Sequence, residues 1–393
     1  MRAYFGVCGL GLGHAGRSLP IARRFQRDGS DVLFSTYLDA VDYIKREKFP
    51  LVAAPPMGLV VKPDGSVDFR GTAAKPGVFS LYVFLKQVLS EIRFMKLFKP
   101  DVVISDSRAS SILAAKLLGI PEVTLLNQYQ VIIPREKRFL RLARIGDASL
   151  LGLIGKIWNM GDVVLILDFP EPYTISLYNL KIPPSMRKKV EIIGPIVEVE
   201  PDSLPPKDEI KEKLGFDGKT LIFVPISGPA KEKSYLIGVL KNILRRFPEK
   251  YGIVMSLGYP NLANNPIVSN GMIIYPWLSQ RFEVLKACDL VISRAGHETI
   301  SQSMYYGKPL ILIPTPNQTE QRNNAKRAEE LGIARVLPQR DVSYKSLLSL
   351  VEEVLERGRY RERAEKMQKE ILMYNGIERA FEIIRSLIRV KKS

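Results

Sequence analysis

Two histidines, His14 and His297, are the only imidazole side chains in the 393 residues, and both fall in glycine-containing turns. His14 follows a predicted strand over Arg2–Val7, and His297 follows a predicted strand over Asp289–Ser293. Open α/β sheets bind ligands at the carboxyl edges of their strands, so both turns are candidate sites. An imidazole with an ordinary pKa of about 6.5 can accept or donate a proton near neutral pH.

A carboxylate is predicted at the same sheet edge as His14. Asp106 ends the apolar run DVVISD, which predicts a buried parallel strand. At that edge it can hold the His14 ring in one tautomer and stabilise the protonated ring. Asp106 can equally cap the helix predicted over Ala109–Leu118, because Asp is a common N-cap residue. The residues alone leave both interpretations open.

The stretch from Asp289 to Ala325 predicts an anion site. Its strand runs into the turn Arg294–His297, and a helix is predicted over Glu298–Tyr306. The free N–H groups and positive dipole end of such a helix favour a phosphate or diphosphate. The polar segment Asn317–Gln321 follows the next strand and is predicted as a loop with many hydrogen-bonding groups. A diphosphate site beside a carboxylate and amides suits a nucleotide linked to a sugar.

Two more segments of the second half carry candidate binding groups. Ser227 and Gly228 follow a strand predicted over Thr220–Pro225, where they would offer a hydroxyl and backbone N–H groups. Trp277 follows a strand predicted over Gly271–Tyr275. Its ring suits contact with a flat base and packing in a core equally well.

The glycine loop around His14 matches a second pattern. The spacing Gly11-x-Gly13-x-x-Gly16 is that of dinucleotide-binding loops. Such loops need an acidic residue at the end of the second strand to hold a ribose, and Ser35-Thr36 occupies that place. A dehydrogenase site is therefore disfavoured.

The charge balance favours an anionic partner. The net charge is +17, from 58 Lys and Arg against 41 Asp and Glu. No basic patch is interleaved with aromatic residues, so nucleic acid is not expected. Residues 134–160 predict either a basic amphipathic helix in peripheral contact with an anionic membrane or an ordinary core-facing helix.

The expected compartment and cofactor use follow from the two cysteines and from the absence of targeting and metal-binding motifs. Cys8 and Cys288 are expected to be reduced thiols, and no signal peptide and no apolar run of membrane-spanning length is visible. We expect a cytoplasmic protein, at most peripheral on the cytosolic membrane face. No Asp-x-Asp motif occurs, and the two histidines lie in separate turns, so neither a metal site nor a cofactor is expected.

The order of predicted elements indicates an α/β protein with two Rossmann-like, doubly wound domains. We expect an N-terminal domain over 1–196, a proline-rich linker over 197–208, a C-terminal domain over 209–375 and a last helix over 376–393.

Two parts of the chain resemble a known family. In the second half the matching residues are Trp277, Gln280, Gly296, Thr299, Gly307, Pro309, Pro314, Glu320, Gln321, Asn324 and Ala325. In the first half the matching segments are GLGLGHAGRSLP (9–20), DVVISD and AAKLLGIP. These resemble GT-B glycosyltransferases of the UDP-glycosyltransferase, MurG and monogalactosyldiacylglycerol synthase group. The sequence departs from the pattern at Gln302, where the family carries a ribose-binding Glu, and at Arg294, where plant members carry a His.

The resemblance implies two domains that face each other across a cleft, with the nucleotide sugar on the C-terminal domain, the acceptor on the N-terminal domain and the last helix crossing back. His14, oriented by Asp106, would be the base of a metal-independent, inverting transfer of a hexosyl group, with UDP as the expected nucleotide and a lipid as a possible acceptor. Arg294 would help neutralise the diphosphate, and His297 would contribute its backbone N–H more than its ring. The glycine loop facing the cleft would contain Gly11, Gly13 and Gly16. The donor-binding set would be Ser227, Gly228, Trp277, Leu278, Gln280, Arg294, Ala295, Gly296, His297, Glu298, Thr299, Gln302, Glu320 and Gln321.

Three other functions fit parts of the pattern. A UDP-sugar epimerase, such as a UDP-N-acetylglucosamine 2-epimerase, would bind the same donor without an acceptor. A non-catalytic GT-B subunit would keep the fold without the chemistry. A nucleic-acid-binding protein would use the positive charge alone.

Overall fold

The computed structural model describes residues 1–57, 81–129 and 155–392. The N-terminal half forms one sheet from β1 (Arg2–Val7), β2 (Asp31–Thr36), β3 (Leu51–Ala53), β4 (Val102–Asp106), β5 (Glu122–Leu126), β6 (Val163–Ile166) and β7 (Val190–Ile192). The strand order is β3-β2-β1-β4-β5-β6-β7, and each pair is parallel. Its helices are α1 (Gly13–Arg27), α2 (Asp39–Arg46), α3 (Leu81–Phe98) and α4 (Ala109–Leu118).

The C-terminal half repeats this plan. Its strands are β8 (Thr220–Pro225), β9 (Tyr251–Ser256), β10 (Ile267–Ser269), β11 (Met272–Tyr275), β12 (Leu290–Ser293), β13 (Leu310–Leu312) and β14 (Ala334–Val336). They pair in the order β10-β11-β9-β8-β12-β13-β14, and β10 is antiparallel to β11 while the other pairs are parallel. The helices are α5 (Lys207–Lys213), α6 (Ala230–Leu244), α7 (Arg281–Ala287), α8 (His297–Tyr305), α9 (Thr319–Glu330), α10 (Tyr344–Glu356), α11 (Arg359–Ile371) and α12 (Gly376–Lys392).

The predicted fold of two doubly wound α/β units is confirmed. In each sheet the strand order reverses once, between β1 and β4 in the first and between β8 and β12 in the second. Ligands of open α/β sheets bind outside the strands at such a reversal. Both predicted glycine turns begin there, because one follows β1 and the other follows β12.

Strands β4 and β12 are buried along their whole length, as parallel strands covered by helices on both faces must be. Their β-branched residues therefore pack on both sides, while the polar residues at their ends reach the sheet edge. This is how apolar runs such as DVVISD place a carboxylate beside the cleft.

Parts of three helices were not predicted. Helix α1 begins at Gly13, so the second half of the predicted glycine loop is helical. Glycine is a weak helix former, and packing of Ala15 and Gly16 in the buried first turns outweighs that preference. Helix α9 begins at Thr319, which places Glu320 and Gln321 in its first turn and not in a loop. Helix α7 was not predicted.

The last helix packs on the N-terminal half. Phe381 of α12 lies edge-on against Phe25 of α1 at a centroid distance of 5.0 Å. Glu378 accepts two bonds from Arg24 Nε at 2.7 and 2.8 Å. The chain thus returns from the second sheet to α1, the helix that carries His14.

Residues 58–80 and 130–154 lie outside the described residues, and they include most of the segment 134–160. Within the described residues, no helix has both the length and the apolar character needed to cross a bilayer. Helix α3 nevertheless exposes a stripe of apolar side chains one turn apart, Leu81, Leu85 and Leu89, together with Tyr82.

Candidate active site

A cleft of about 250 Å³ lies between the two sheet edges. Most of the predicted site residues line it, and they come from both halves of the chain. They are Gly11, Gly13, His14, Gly16, Ser227, Gly228, Trp277, Leu278, Gly296, His297, Glu298, Thr299, Gln302, Glu320 and Gln321. The structure therefore brings together two sets of residues separated by about half the sequence.

His14 is held from behind by Asp106. The Nδ1 atom of His14 lies 2.7 Å from Asp106 Oδ1, and the carboxylate is fully buried while the imidazole is 24% exposed. The ring is positioned by the first turn of α1 and the carboxylate by the end of β4. Asp106 is a partner of the ring and not a cap of α4, whose N-cap residue is Arg108.

Arg17 binds the same carboxylate. Its Nε atom donates to Asp106 Oδ2 at 2.7 Å and its Nη2 atom donates to Oδ1 at 2.5 Å. Ser18 Oγ adds a bond to Oδ2 at 3.0 Å. These partners explain the titration of Asp106: burial alone raises its pKa, but Arg17 and His14 outweigh burial and hold the pKa well below its usual range.

The surroundings of His14 raise its pKa. Burial by itself lowers the pKa, but Cys8 and Asp106 outweigh burial, and Arg17 acts against them. Cys8 directly follows β1 and is a free thiol. Its Sγ atom lies 3.5 Å from the Tyr37 hydroxyl. Burial raises the pKa of Cys8, and His14 more than offsets this, so the net shift is downward.

The N-terminus of α8 faces the glycine loop across the cleft. Gly296 is its N-cap residue, and the first N–H groups of a helix have no partner within it. Glu298 in the first turn reaches over to α1, where a Cβ on Gly16 would lie 2.8 Å from Glu298 Oε2. A side chain at Gly16 would therefore force the Glu298 carboxylate to move. Burial raises the pKa of Glu298 against the opposing effect of Arg281 and Arg17.

Two family models match adjacent parts of the chain. The model described as glycosyl transferase family 1 matches residues 1–190. The model described as glycosyltransferase family 28 C-terminal domain matches residues 222–379. The chain belongs to the GT-B glycosyltransferases. Its activity is the transfer of a sugar from a nucleotide-sugar donor.

Known relatives of this glycosyltransferase span its whole length. An uncharacterized glycosyltransferase of Methanosarcina mazei is 27% identical over 381 residues, which are 94% of each chain. The UDP-N-acetylglucosamine–N-acetylmuramyl-(pentapeptide) pyrophosphoryl-undecaprenol N-acetylglucosamine transferase 1 of Bacillus cereus is 23% identical and covers 96% of this chain and 97% of that one. Among solved structures, the glycotransferase of kitacinnamycin has a TM-score of 0.67 at 18% identity, with 98% of both chains covered. The predicted resemblance is confirmed.

Arg294 of the glycosyltransferase does not reach the cleft. Its side chain is 2% exposed, with Nη1 donating to Gln339 Oε1 at 2.7 Å and Nη2 donating to the Glu232 carbonyl at 3.1 Å. The predicted contact of this guanidinium with a diphosphate does not fit that position. The neighbouring Ala295 is fully buried, and its carbonyl accepts a bond from Asn324 Nδ2 at 3.3 Å.

Arg281 is the cation that lines the cleft on this side. It begins α7, directly after the predicted donor residue Gln280, which is exposed and is the N-cap of that helix. The Nη1 atom of Arg281 donates to the Tyr43 hydroxyl at 3.2 Å, and Nη2 lies 3.7 Å from Glu298 Oε1. Gln302 Nε2 donates to the same Glu298 oxygen at 2.9 Å.

The His297 ring points to the N-terminal half. Its Nε2 atom lies 3.0 Å from Asp168 Oδ2, although the angle is poor for a hydrogen bond. Burial raises the pKa of Asp168, and His297 and Ser176 outweigh burial and lower it. The ring thus contacts Asp168 of the other half. The group that His297 contributes to the N-terminus of α8 is its backbone N–H.

Trp277 contacts the other half of the molecule. Its ring is 7% exposed and lies edge-on to Tyr43 of α2 at a centroid distance of 4.7 Å. The guanidinium carbon of Arg46 lies 5.9 Å from the same ring. In this structure the tryptophan packs between domains, while part of it still borders the cleft.

Glu320 also spans the two halves. Its carboxylate accepts bonds from Asn127 Nδ2 at 3.0 Å and from Gln128 Nε2 at 3.3 Å. Gln321 turns inward, where its Oε1 accepts the Thr315 backbone N–H at 2.8 Å. Asn127 and Gln128 were not predicted, although a polar pair directly after the apolar strand β5 is the signal that marks a sheet edge.

Arg17 and Arg281 were also not predicted as site residues. Arg17 lies in the segment GLGLGHAGRSLP, which matched the family pattern, but its type and spacing indicated no role. Arg281 lies in a helix that was not predicted. Within the described ranges, no group of three or more His, Cys, Asp or Glu side chains is arranged to hold a metal ion. Metal independence stays a prediction.

Proposed function

We propose that this glycosyltransferase moves a hexosyl group from a UDP-sugar to an acceptor hydroxyl, with inversion at the anomeric carbon and without a metal ion. The observation that carries the proposal is the meeting of two features across one cleft. One is the His14–Asp106 pair at the β1/β4 edge, and the other is the N-terminus of α8 at the β12 edge. The pair supplies a base and the helix end supplies an anion site.

The donor lies on the C-terminal half in this proposal. The backbone N–H groups of Gly296 to Thr299 hold the diphosphate, and Arg281 supplies the positive charge assigned to Arg294 from the sequence. Gln302 binds the ribose, and Trp277 and Leu278 border the base. Support comes from the position of all these side chains on the cleft wall.

The sugar is oriented by Glu320. Its carboxylate lies at the junction of the two halves, beside the amides of Asn127 and Gln128. Sugar hydroxyls can donate to the carboxylate and accept from the amides, so the three side chains together suit a polyhydroxylated ring. Gln321 acts indirectly, by fixing the loop that precedes α9.

The transfer step uses His14 as the base. The Nε2 atom of His14 takes the proton of the acceptor hydroxyl as that oxygen forms a bond to the anomeric carbon. The bond between the anomeric carbon and the phosphate oxygen breaks at the same time, and UDP leaves with the electron pair. Attack from the face opposite the phosphate inverts the anomeric configuration. Exclusion of water by the closed cleft limits hydrolysis of the donor.

A lipid-linked acceptor fits an exposed apolar stripe on the N-terminal half. Helix α3 exposes Leu81, Tyr82, Leu85 and Leu89 by 49–66%, and Lys86 Nζ lies 4.4 Å from the centroid of the Tyr82 ring. Apolar and basic side chains on one helix suit contact with an anionic membrane. The contact predicted for 134–160 falls mostly on residues outside the described ranges.

The test combines a donor screen with an acceptor assay. Nucleotides are first ranked by thermal shift, and UDP is expected to raise the melting temperature more than GDP or ADP. UDP-sugars are then incubated with lipid extracts, and release of UDP is expected to depend on the extract. Formation of an epimer from UDP-N-acetylglucosamine alone would instead favour the epimerase, and donor binding without turnover under any condition would favour a non-catalytic subunit.

A further inference from the structure

The guanidinium of Arg17 is packed against both members of the His14–Asp106 pair. It holds Asp106 through two parallel bonds of 2.7 and 2.5 Å. The Nη2 atom also lies 2.9 Å from His14 Nδ1 and 3.3 Å from Ser107 Oγ. The side chain is 7% exposed, so these contacts are largely shielded from solvent. A bidentate contact of this kind fixes the plane of the carboxylate.

The geometry determines which nitrogen of His14 carries the proton. Asp106 stays ionised beside the guanidinium of Arg17 and can therefore only accept hydrogen bonds. A distance of 2.7 Å between His14 Nδ1 and Asp106 Oδ1 requires a hydrogen on Nδ1, since two lone pairs would otherwise face each other. Arg17 Nη2 has other acceptors in Oδ1 and Ser107 Oγ, so it does not need Nδ1 as an acceptor. The neutral ring then has its free lone pair on Nε2.

The same geometry places a permanent positive charge beside the imidazole. Asp106 favours the protonated ring, but it shares its charge with Arg17. Cys8, at the end of β1, also favours the protonated ring, and the Tyr37 hydroxyl faces that thiol. From across the cleft, the charges of Glu320 and Glu298 raise the pKa of Arg17 and so favour its charged form. Arg17 is the cation that opposes protonation of His14 in this set.

We propose that Arg17 is a positioning residue for the base: it orients Asp106 to accept the Nδ1–H of His14, and its charge counteracts the preference of Cys8 and Asp106 for the protonated ring, so that more of the ring keeps the Nε2 lone pair that takes the acceptor's proton. The inference rests on the proposed role of His14. It assigns to Arg17 a function in proton transfer without contact with either substrate.

The test is a direct titration of the two imidazoles by NMR. Because the chain contains only His14 and His297, a spectrum of ring protons and nitrogens has two sets of signals, and His297→Gln assigns them. The test variant is Arg17→Gln, which removes the charge but keeps an amide that can still donate to Asp106. We expect the midpoint of His14 to move upward by about one unit or more, because a cation in contact with the ring has been removed.

Two more variants separate the charge from other effects. Arg17→Lys keeps a cation without the planar fork, and we expect less than half the shift of Arg17→Gln. Arg27→Met removes one positive charge from an exposed position on the same helix, and we expect the midpoint to stay within about 0.3 unit, because exposed charges are screened by solvent. Circular dichroism verifies that each variant is folded.

An unchanged or lowered midpoint in folded Arg17→Gln overturns the inference, and so does an equal shift in Arg27→Met. If Arg17→Gln fails to fold, a shift in Arg17→Lys larger than one unit overturns the charge argument. The titration needs no substrate, so its outcome is independent of the proposed function. That function fails separately if His14→Ala retains full transfer activity, whatever the titration of the wild-type ring shows.

Discussion

At the scale of single residues, the environment of His14 changes the chemistry expected from an isolated imidazole. The sequence suggests a base with an ordinary pKa, whereas Cys8 and Asp106 raise the pKa of His14 in the folded chain despite burial and Arg17. A raised pKa makes the neutral ring a stronger base but reduces the neutral fraction at pH 7. Cys8, Asp106 and Arg17 together therefore determine both how strong a base the neutral ring of His14 is and what fraction of the ring is neutral.

A pH–rate profile tests this balance. Only the unprotonated ring can take the acceptor's proton, so the rate should rise with pH and keep rising above about 6.5, the ordinary pKa of His. His14→Ala should lower kcat by about 10²–10⁴-fold and remove this limb of the profile. His297→Gln should keep the limb, because that ring contacts Asp168 behind the cleft. A limb that survives in His14→Ala would assign the base to another group.

At the scale of elements, helix ends and one returning helix build the site. The first turn of α1 carries His14, Gly16 and Arg17, and a Cβ on Gly16 would crowd the carboxylate of Glu298 from the first turn of α8. Helix α12 packs against the last turns of α1, where Phe381 is 3% exposed and the guanidinium carbon of Arg24 lies 3.8 Å from its ring centroid. The last helix thus supports the helix that carries His14.

Truncation of Phe381 measures this support. Phe381→Ala should destabilise the protein by about 3–5 kcal/mol, the usual cost of removing a buried phenyl ring. The measurement is the shift of the urea unfolding midpoint. Val390→Ala is the matched control on the same helix, because Val390 is 69% exposed, and we expect little change. Equal midpoints for Phe381→Ala and wild type would show that α12 does not stabilise the first half.

At the scale of the whole molecule, the cleft is closed by contacts of α2 with the second half. Tyr43 meets Trp277 and Arg281, and Arg46 Nη1 donates to the carbonyls of Pro260 and Leu262 at 2.9 and 3.0 Å. Behind the cleft, Asp168 meets His297. The contact with Tyr43 buries Trp277, which is proposed to border the base, so we predict that the two halves separate to admit a donor.

Weakening of this closure should be measurable without substrate. Arg46→Ala removes both carbonyl contacts and should favour the open form by about 1–2 kcal/mol. Small-angle X-ray scattering should then report a larger radius of gyration than for wild type. Lys45→Ala changes the charge of the same helix at an exposed position and should leave the radius unchanged. A compact Arg46→Ala protein would mean that other contacts hold the two halves together.

The sequence alone was sufficient for the fold class and for half of the site. Buried strands appear as β-branched runs, and glycine turns after them mark the sheet edges, so His14, Asp106, Gly296 and Thr299 could be placed from local pattern. The helical start of α1 at Gly13 could not, because glycine is a weak helix former and burial of Ala15 and Gly16 in the first turns outweighs that preference. The same limit applies to Glu320, whose amide partners Asn127 and Gln128 lie nearly half the chain away.

Spacing along the chain determined which residues reach a sheet edge, because strand and turn geometry is local. Only the tertiary structure decided which way each side chain turns there. Arg294 follows a strand as predicted, yet its guanidinium is buried against Gln339, while Arg281 takes the place at the cleft. Arg17 became a partner of Asp106 because β1, which leads into α1, pairs with β4 in the sheet. Such choices depend on contacts between distant segments, and local sequence pattern carries no record of them.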